Sequence, residues 1–198
     1  GGLVFHDVTN QKHARKAAEA GVDGIIAVSA GAGGHAGIIN PFVLVHEIRE
    51  VFEGVILLAG GLSKGEDILA AQAMGADLCY LGTRFINTTE SRAEAAYQNM
   101  IIEAVSGDII HTPAVSGIPA NFMRQSLEAA GYPMDKLNQA GELNYGDKLK
   151  PVDDEAKAWK TVWSAGQGVS QITDVVSVSD LVGRIGDEYR RARARLCE

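Results

Sequence analysis

The sequence predicts an α/β protein built on a parallel sheet. Three observations carry this: short apolar runs recur about every 25 residues, helix-like segments lie between them, and three of the four runs end in glycine-bearing turns. The first run, residues 3–8, precedes a segment rich in alanine and alternating charge, residues 11–20, stopped by Gly21. The second, residues 24–28, opens into Ala30-Gly31-Ala32-Gly33-Gly34-His35-Ala36-Gly37, and beyond Pro41 the apolar residues Phe42, Val45, Ile48 and Val51 recur at helical spacing. The third, residues 55–58, ends in Gly60-Gly61 and leads into a helix over 64–74 stopped by Gly75. The fourth, residues 77–81, ends in Gly82-Thr83-Arg84-Phe85, ahead of a helix from about 91 to 105. Consecutive βα units imply right-handed crossovers and a ligand site at the carboxyl ends of the strands.

The pattern changes after residue 106. Residues 107–123 read as loop, punctuated by Pro113, Gly117 and Pro119, and 124–130 reads as a short helix closed by Gly131-Tyr132-Pro133. Residues 138–154 are polar and glycine-bearing, and 154–162 and 180–196 read as helices, the latter with Leu181, Ile185, Tyr189 and Leu196 on or near one face. The organisation expected is four βα units over residues 1–106, with a helical cap and substrate region over 107–198 packed onto them.

Composition narrows the function. A charge of −7 and 46% hydrophobic residues fit one globular unit, and the negative balance argues against a duplex nucleic-acid partner. Two cysteines, Cys79 and Cys197, make neither a metal-ligand spacing nor a disulfide framework, so a reducing, cytoplasmic setting is expected, with no metal. No apolar stretch reaches about 18 residues, so no membrane span is expected.

His35 is the single ionisable group of the glycine loop. A loop histidine satisfied by backbone groups is one reading; the other is catalysis, since a group titrating near neutrality suits proton abstraction from carbon. His6, His13, His46 and His111 read as structural or solvated. Gly60-Gly61 and Gly82-Thr83 follow neighbouring strands and together make a phosphate cradle plausible, although each turn alone is weak evidence. CxxC and HExxH are absent, no GxGxxG follows a strand, and a nicotinamide-binding Rossmann domain is disfavoured.

With these residues in order, the chain resembles the nitronate monooxygenase family (2-nitropropane dioxygenases) and its relatives, the flavin-dependent enoyl-acyl-carrier-protein reductases. The matching elements are Ala32-Gly33-Gly34-His35-Ala36-Gly37, Leu58-Ala59-Gly60-Gly61-Leu62 and Tyr80-Leu81-Gly82-Thr83-Arg84-Phe85. Trp163-Ser164-Ala165-Gly166-Gln167-Gly168 is a further match, closer to the monooxygenases. The resemblance implies an FMN-binding TIM (β/α)8 barrel, of which this chain is the C-terminal half, strands five to eight, plus a helical C-terminal region. It implies His35 as the catalytic base and Gly33, Gly60, Gly61, Tyr80, Leu81, Gly82 and Thr83 as FMN contacts. Backbone amides of Gly61 and Gly82 are expected at the phosphate, and Ser164 near the substrate.

The activity implied is FMN-dependent oxidation of alkyl nitronates or nitroalkanes with O2, and completion of the site needs the N-terminal half of the barrel. The alternatives are an NAD(P)H-dependent enoyl reductase on the same flavin fold and an inactive fragment without flavin. Two positions depart from the family pattern: Gly31, where many relatives carry glutamate, and Val28, where many carry a polar flavin contact.

Overall fold

A computed structural model describes residues 1–137 and 162–197 of the chain. Its centre is a parallel sheet of four strands in the order β1-β2-β4-β5: β1 Phe5–Val8, β2 Gly24–Val28, β4 Val55–Ala59 and β5 Leu78–Tyr80. The intervening β3 is the two-residue strand Gly34–His35. The register runs Val8 beside Ala27, Ala27 beside Leu58 and Ala59 beside Tyr80, so the strands' carboxyl ends finish close together.

Strand alternation sorts the side chains into two layers. Ile25 and Ala27 on β2, with Ile56 and Leu58 on β4, are fully buried against helices α1 (Gln11–Glu19), α2 (Pro41–Arg49) and α3 (Gly65–Ala73). Leu44, Val45 and Ile48 of α2 meet them; of the expected apolar period Val45 and Ile48 are buried and Val51 packs beside them, whereas Phe42 is exposed and Leu44 is buried instead. Each large side chain buried here is worth roughly 1.5–3 kcal/mol. The opposite set, which includes Ile26, Val28 and Ala59, faces a cleft.

Local chemistry fixes the helix starts. Asn10 and Asn40 cap α1 and α2 by accepting from the amides of His13 and Phe42, and the Asp67 carboxylate accepts from the amides of Ser63 and Lys64 ahead of α3. At the amino ends of β4 and β5, Asp77 accepts from the Ile56 amide at 2.8 Å and pairs with Arg49 at 2.9 Å.

The four strands and the helices after them match the sequence expectation closely. Residues 107–123 do not. They form β6 (Ile109–Thr112) and β7 (Ala120–Met123), an antiparallel pair whose residues at Ile109, Ala120, Phe122 and Met123 are buried. Pro113, Gly117 and Pro119 punctuate the connection between these strands, not an unstructured stretch. The second sheet is completed by β3, in the order β3-β7-β6, so it joins strands from either side of residue 106.

The remaining helices are α4 (Thr83–Ile86), α5 (Ala95–Glu103), α6 (Arg124–Ala129) and α7 (Val178–Leu196). Helix α7 starts at a Ser177 cap and packs on α3, where Gly65 lies against the backbone of Ile185 and Tyr189. The helix expected over 154–162 lies outside the described residues apart from Val162. Among the described residues no helix is long and apolar enough to cross a membrane.

Candidate active site

The cleft, about 310 Å³, sits at the carboxyl ends of the parallel strands. Its wall is formed by the turns after β2, β4 and β5, by the strand residues Asp7, Ile26 and Val28, and by a segment near residue 165. This is the end of the sheet where α/β proteins bind ligands.

Glycines allow these turns to close on one another. Gly33 lies so near the neighbouring segment that a Cβ there would stand 2.9 Å from the Gly166 amide nitrogen, a contact no side chain could make without displacing backbone. Hydrogen bonds then join the pieces: the Gly31 carbonyl accepts from the amides of Gln167 at 2.9 Å and Gly61 at 3.2 Å, and the Thr83 side-chain Oγ1 accepts from the Gly166 amide at 2.9 Å. Ser63 donates to the Gly168 carbonyl at 3.0 Å. Residues 166–168 thus tie all three glycine turns together.

Of the residues expected at the site, His35, Gly33, Gly60, Gly61, Tyr80, Gly82, Thr83 and Ser164 lie on the cleft wall. Leu81 is half-buried and off the wall. The Gly61 amide, expected at the phosphate, donates to the Gly31 carbonyl. Gly61 still shapes the cradle: it has φ +74°, and a Cβ on it, or on Gly82, would enter open space. Both turns therefore border open space at the cleft wall.

His35 is held in β3 by pairing with Ala120 of β7. Ser164 Oγ lies 4.0 Å from where a Cβ on Gly34 would be, which puts the histidine loop and Ser164 on one side of the cleft. Gln167 Oε1 stands 3.0 Å from the Cβ position of Gly31, so the room a side chain at 31 would use belongs to Gln167.

Sequence reasoning missed two ionisable wall residues. Asp7 adds a carboxylate from β1, and Tyr97 adds a phenol from α5. Tyr97 stacks on Trp163 with ring centres 5.0 Å apart, and its hydroxyl donates to the Ser164 carbonyl. Burial pushes its pKa up to about 12, which keeps it a hydrogen-bond donor. The alternation along β1 could have exposed Asp7, whereas nothing local marks Tyr97.

Outside the wall, Arg84 is buried directly after the Gly82-Thr83 turn and pairs with Asp174 at 2.8 Å, which in turn meets Arg184 at 2.8 Å. Cys79 is raised to about 11 by burial and by the charge of Asp67, so its thiol stays protonated near neutrality. Among the described residues no group of histidine, cysteine and acidic side chains could hold a metal ion.

A parallel sheet with a ligand-sized cleft at its carboxyl ends, walled by glycine turns and a histidine, defines an α/β protein built to bind a small molecule. Comparison with known proteins then names the lineage: the chain belongs to the nitronate monooxygenase family, whose model matches residues 1–188. It is 35% identical to a nitronate monooxygenase of Neurospora crassa over 210 residues, covering 96% of this chain and 54% of that protein. Its fold is similar to nitroalkane oxidase from Streptomyces ansochromogenes (TM-score 0.81, 27% identity, 99% of this chain and 60% of that one). It is also similar to FabK from Thermotoga maritima (TM-score 0.77, 27% identity, 99% and 63%). The chain spans between about a third and about a half of the curated relatives' length.

Proposed function

We propose that the protein to which this chain contributes is an FMN-dependent oxidoreductase that oxidises alkyl nitronates, and neutral nitroalkanes, with O2. The observation that carries the reading is the meeting of His35 with the Gly60-Gly61 and Gly82-Thr83 turns in one cleft. The fit to FMN rests on the two glycine turns at Gly61 and Gly82, which lie on one cleft wall beside open space and would let a phosphate approach the backbone. Gly33, Gly60, Gly61, Tyr80, Gly82 and Thr83 would hold the cofactor. Bound FMN supplies the electron transfer from substrate to O2.

The chain's own residues do the rest. His35 takes the proton from the carbon α to the nitro group of a neutral nitroalkane, which converts it to the nitronate; a preformed nitronate needs no such step. Pairing of β3 with β7 holds the imidazole's backbone in place, and Ser164 lies on the same side to contact the substrate. Apolar Ile26, Val28 and Ile86 on the wall limit water around the reacting carbon.

The four parallel strands would be the fifth to eighth of a TIM barrel, with residues from the rest of the protein closing the cleft. Supporting this, the sheet's edges expose Leu3, Val4 and Phe5 on one side and Leu78 and Tyr80 on the other. A cytoplasmic setting accords with the free Cys79 and Cys197.

The likeness to FabK favours a second reading, an NAD(P)H-dependent enoyl reductase. Anaerobic mixing of the full-length protein separates the two. Fast loss of visible flavin absorbance with propyl nitronate and none with NADPH supports the oxidase, and the reverse overturns it. A full-length protein that takes up no FMN sinks both.

A further inference from the structure

We infer that Asn121 is a positioning residue for His35, working through a short polar relay from His111 to the glycine loop; the inference rests on His35 being the base. Asn121 sits on β7 opposite Gly34, beside the Ala120–His35 pair, and is buried at 4% exposure. Its Nδ2 donates to the Ala32 carbonyl at 2.7 Å, three residues before the imidazole. Its Oδ1 meets His111 Nδ1 at 2.9 Å.

These two contacts fix one another. With Nδ2 turned to a carbonyl, Oδ1 is the atom left for His111, and an amide oxygen can only accept, so His111 carries a proton on Nδ1. Turning the amide over would set two oxygens against each other at Ala32. The carboxamide therefore has one orientation, and His111 enforces it from β6. The loop it grips is rich in glycine, since Gly31, Gly33 and Gly34 lack side chains, and the β3 strand is two residues long. On its other flank the loop is backed by residues 166–167, so the Asn121 bond closes the remaining side.

The experiment uses the full-length, FMN-loaded protein with Asn121→Leu, which is close in size and removes both contacts, and with His111→Phe as a second variant that leaves Asn121 in place. Proton abstraction from a neutral nitroalkane should fall by on the order of tenfold to a hundredfold in Asn121→Leu, while turnover of the preformed nitronate changes less than about threefold. The loss should vanish when His35 is already alanine, and His111→Phe should give a smaller loss with the same substrate preference.

Equal losses on both substrates, or a full additional loss in the His35→Ala background, overturn the inference. A separate readout stands if the protein proves to use other substrates. Amide hydrogen exchange at Gly33 to His35 should quicken in Asn121→Leu without quickening in β2 or β4, and unchanged exchange at the loop overturns the relay whatever the reaction is.

Discussion

The hydroxyl of Tyr97 donates to the backbone carbonyl of Ser164, and the Tyr97 ring stacks on Trp163, the residue just before it. Helix α5 thereby sets the position of a cleft residue 67 positions later. Tyr97→Phe keeps the stack and loses one hydrogen bond, so it should cost about 1 kcal/mol in denaturant unfolding and raise KM more than it lowers kcat. Tyr97→Ala removes the ring as well and should cost about 3 kcal/mol.

His35→Ala should separate two kinds of substrate. Turnover of neutral nitroalkanes should drop by about 10²–10⁴, the usual contribution of a general base, while preformed nitronates lose far less. Steady-state rates with nitroethane and its nitronate check this directly.

Gly82 tests the cradle without backbone strain, since its φ of −104° suits any residue and a Cβ there meets nothing. Gly82→Val should leave stability within about 0.5 kcal/mol and weaken FMN at least about tenfold, as read by flavin fluorescence titration. Unchanged affinity would place the phosphate elsewhere.

Asp174→Ala should leave the buried Arg84 guanidinium without its carboxylate. The expected cost is about 2–4 kcal/mol, at the lower part of the range if water reaches the half-open Asp174 side. Arg84→Met together with Asp174→Leu should recover much of that stability, a contrast that thermal unfolding resolves.

Asp77 carries an acid dependence. The Ile56 amide, and then Arg49, hold its carboxyl below the ordinary 3.8, so the folded state favours the ionised form. That contribution is complete above the ordinary value and fades as pH falls below it. The denaturant midpoint of the parent should therefore drop as pH falls below the ordinary 3.8 by more than that of Asp77→Asn. Half-exposure of the Arg49 pair keeps the difference modest.

The parallel sheet was legible because its signals are local. Ile25, Ala27, Ile56 and Leu58 alternate within single strands, and Val45 and Ile48 repeat within one helix. The glycine turns were legible for the same reason. The second sheet was not, because Ile109–Thr112 and Ala120–Met123 are four residues each and stand between prolines and glycines, where short apolar runs look like loop. Tyr97 and Asn121 were equally hidden. Their roles depend on Ser164 and Ala32, partners 67 and 89 residues distant, and no period or spacing encodes such a pairing.

The Gly34–His35 strand finds its partner only at Ala120 and Asn121, whereas each parallel strand pairs with one much nearer in sequence. Contacts that close short loops form sooner than those that close long ones. During refolding, burial of the α2 and β4 core should therefore precede the fixing of the histidine loop. The molecule would pass through a stage in which the scaffold is complete and the chemistry has yet to arrive.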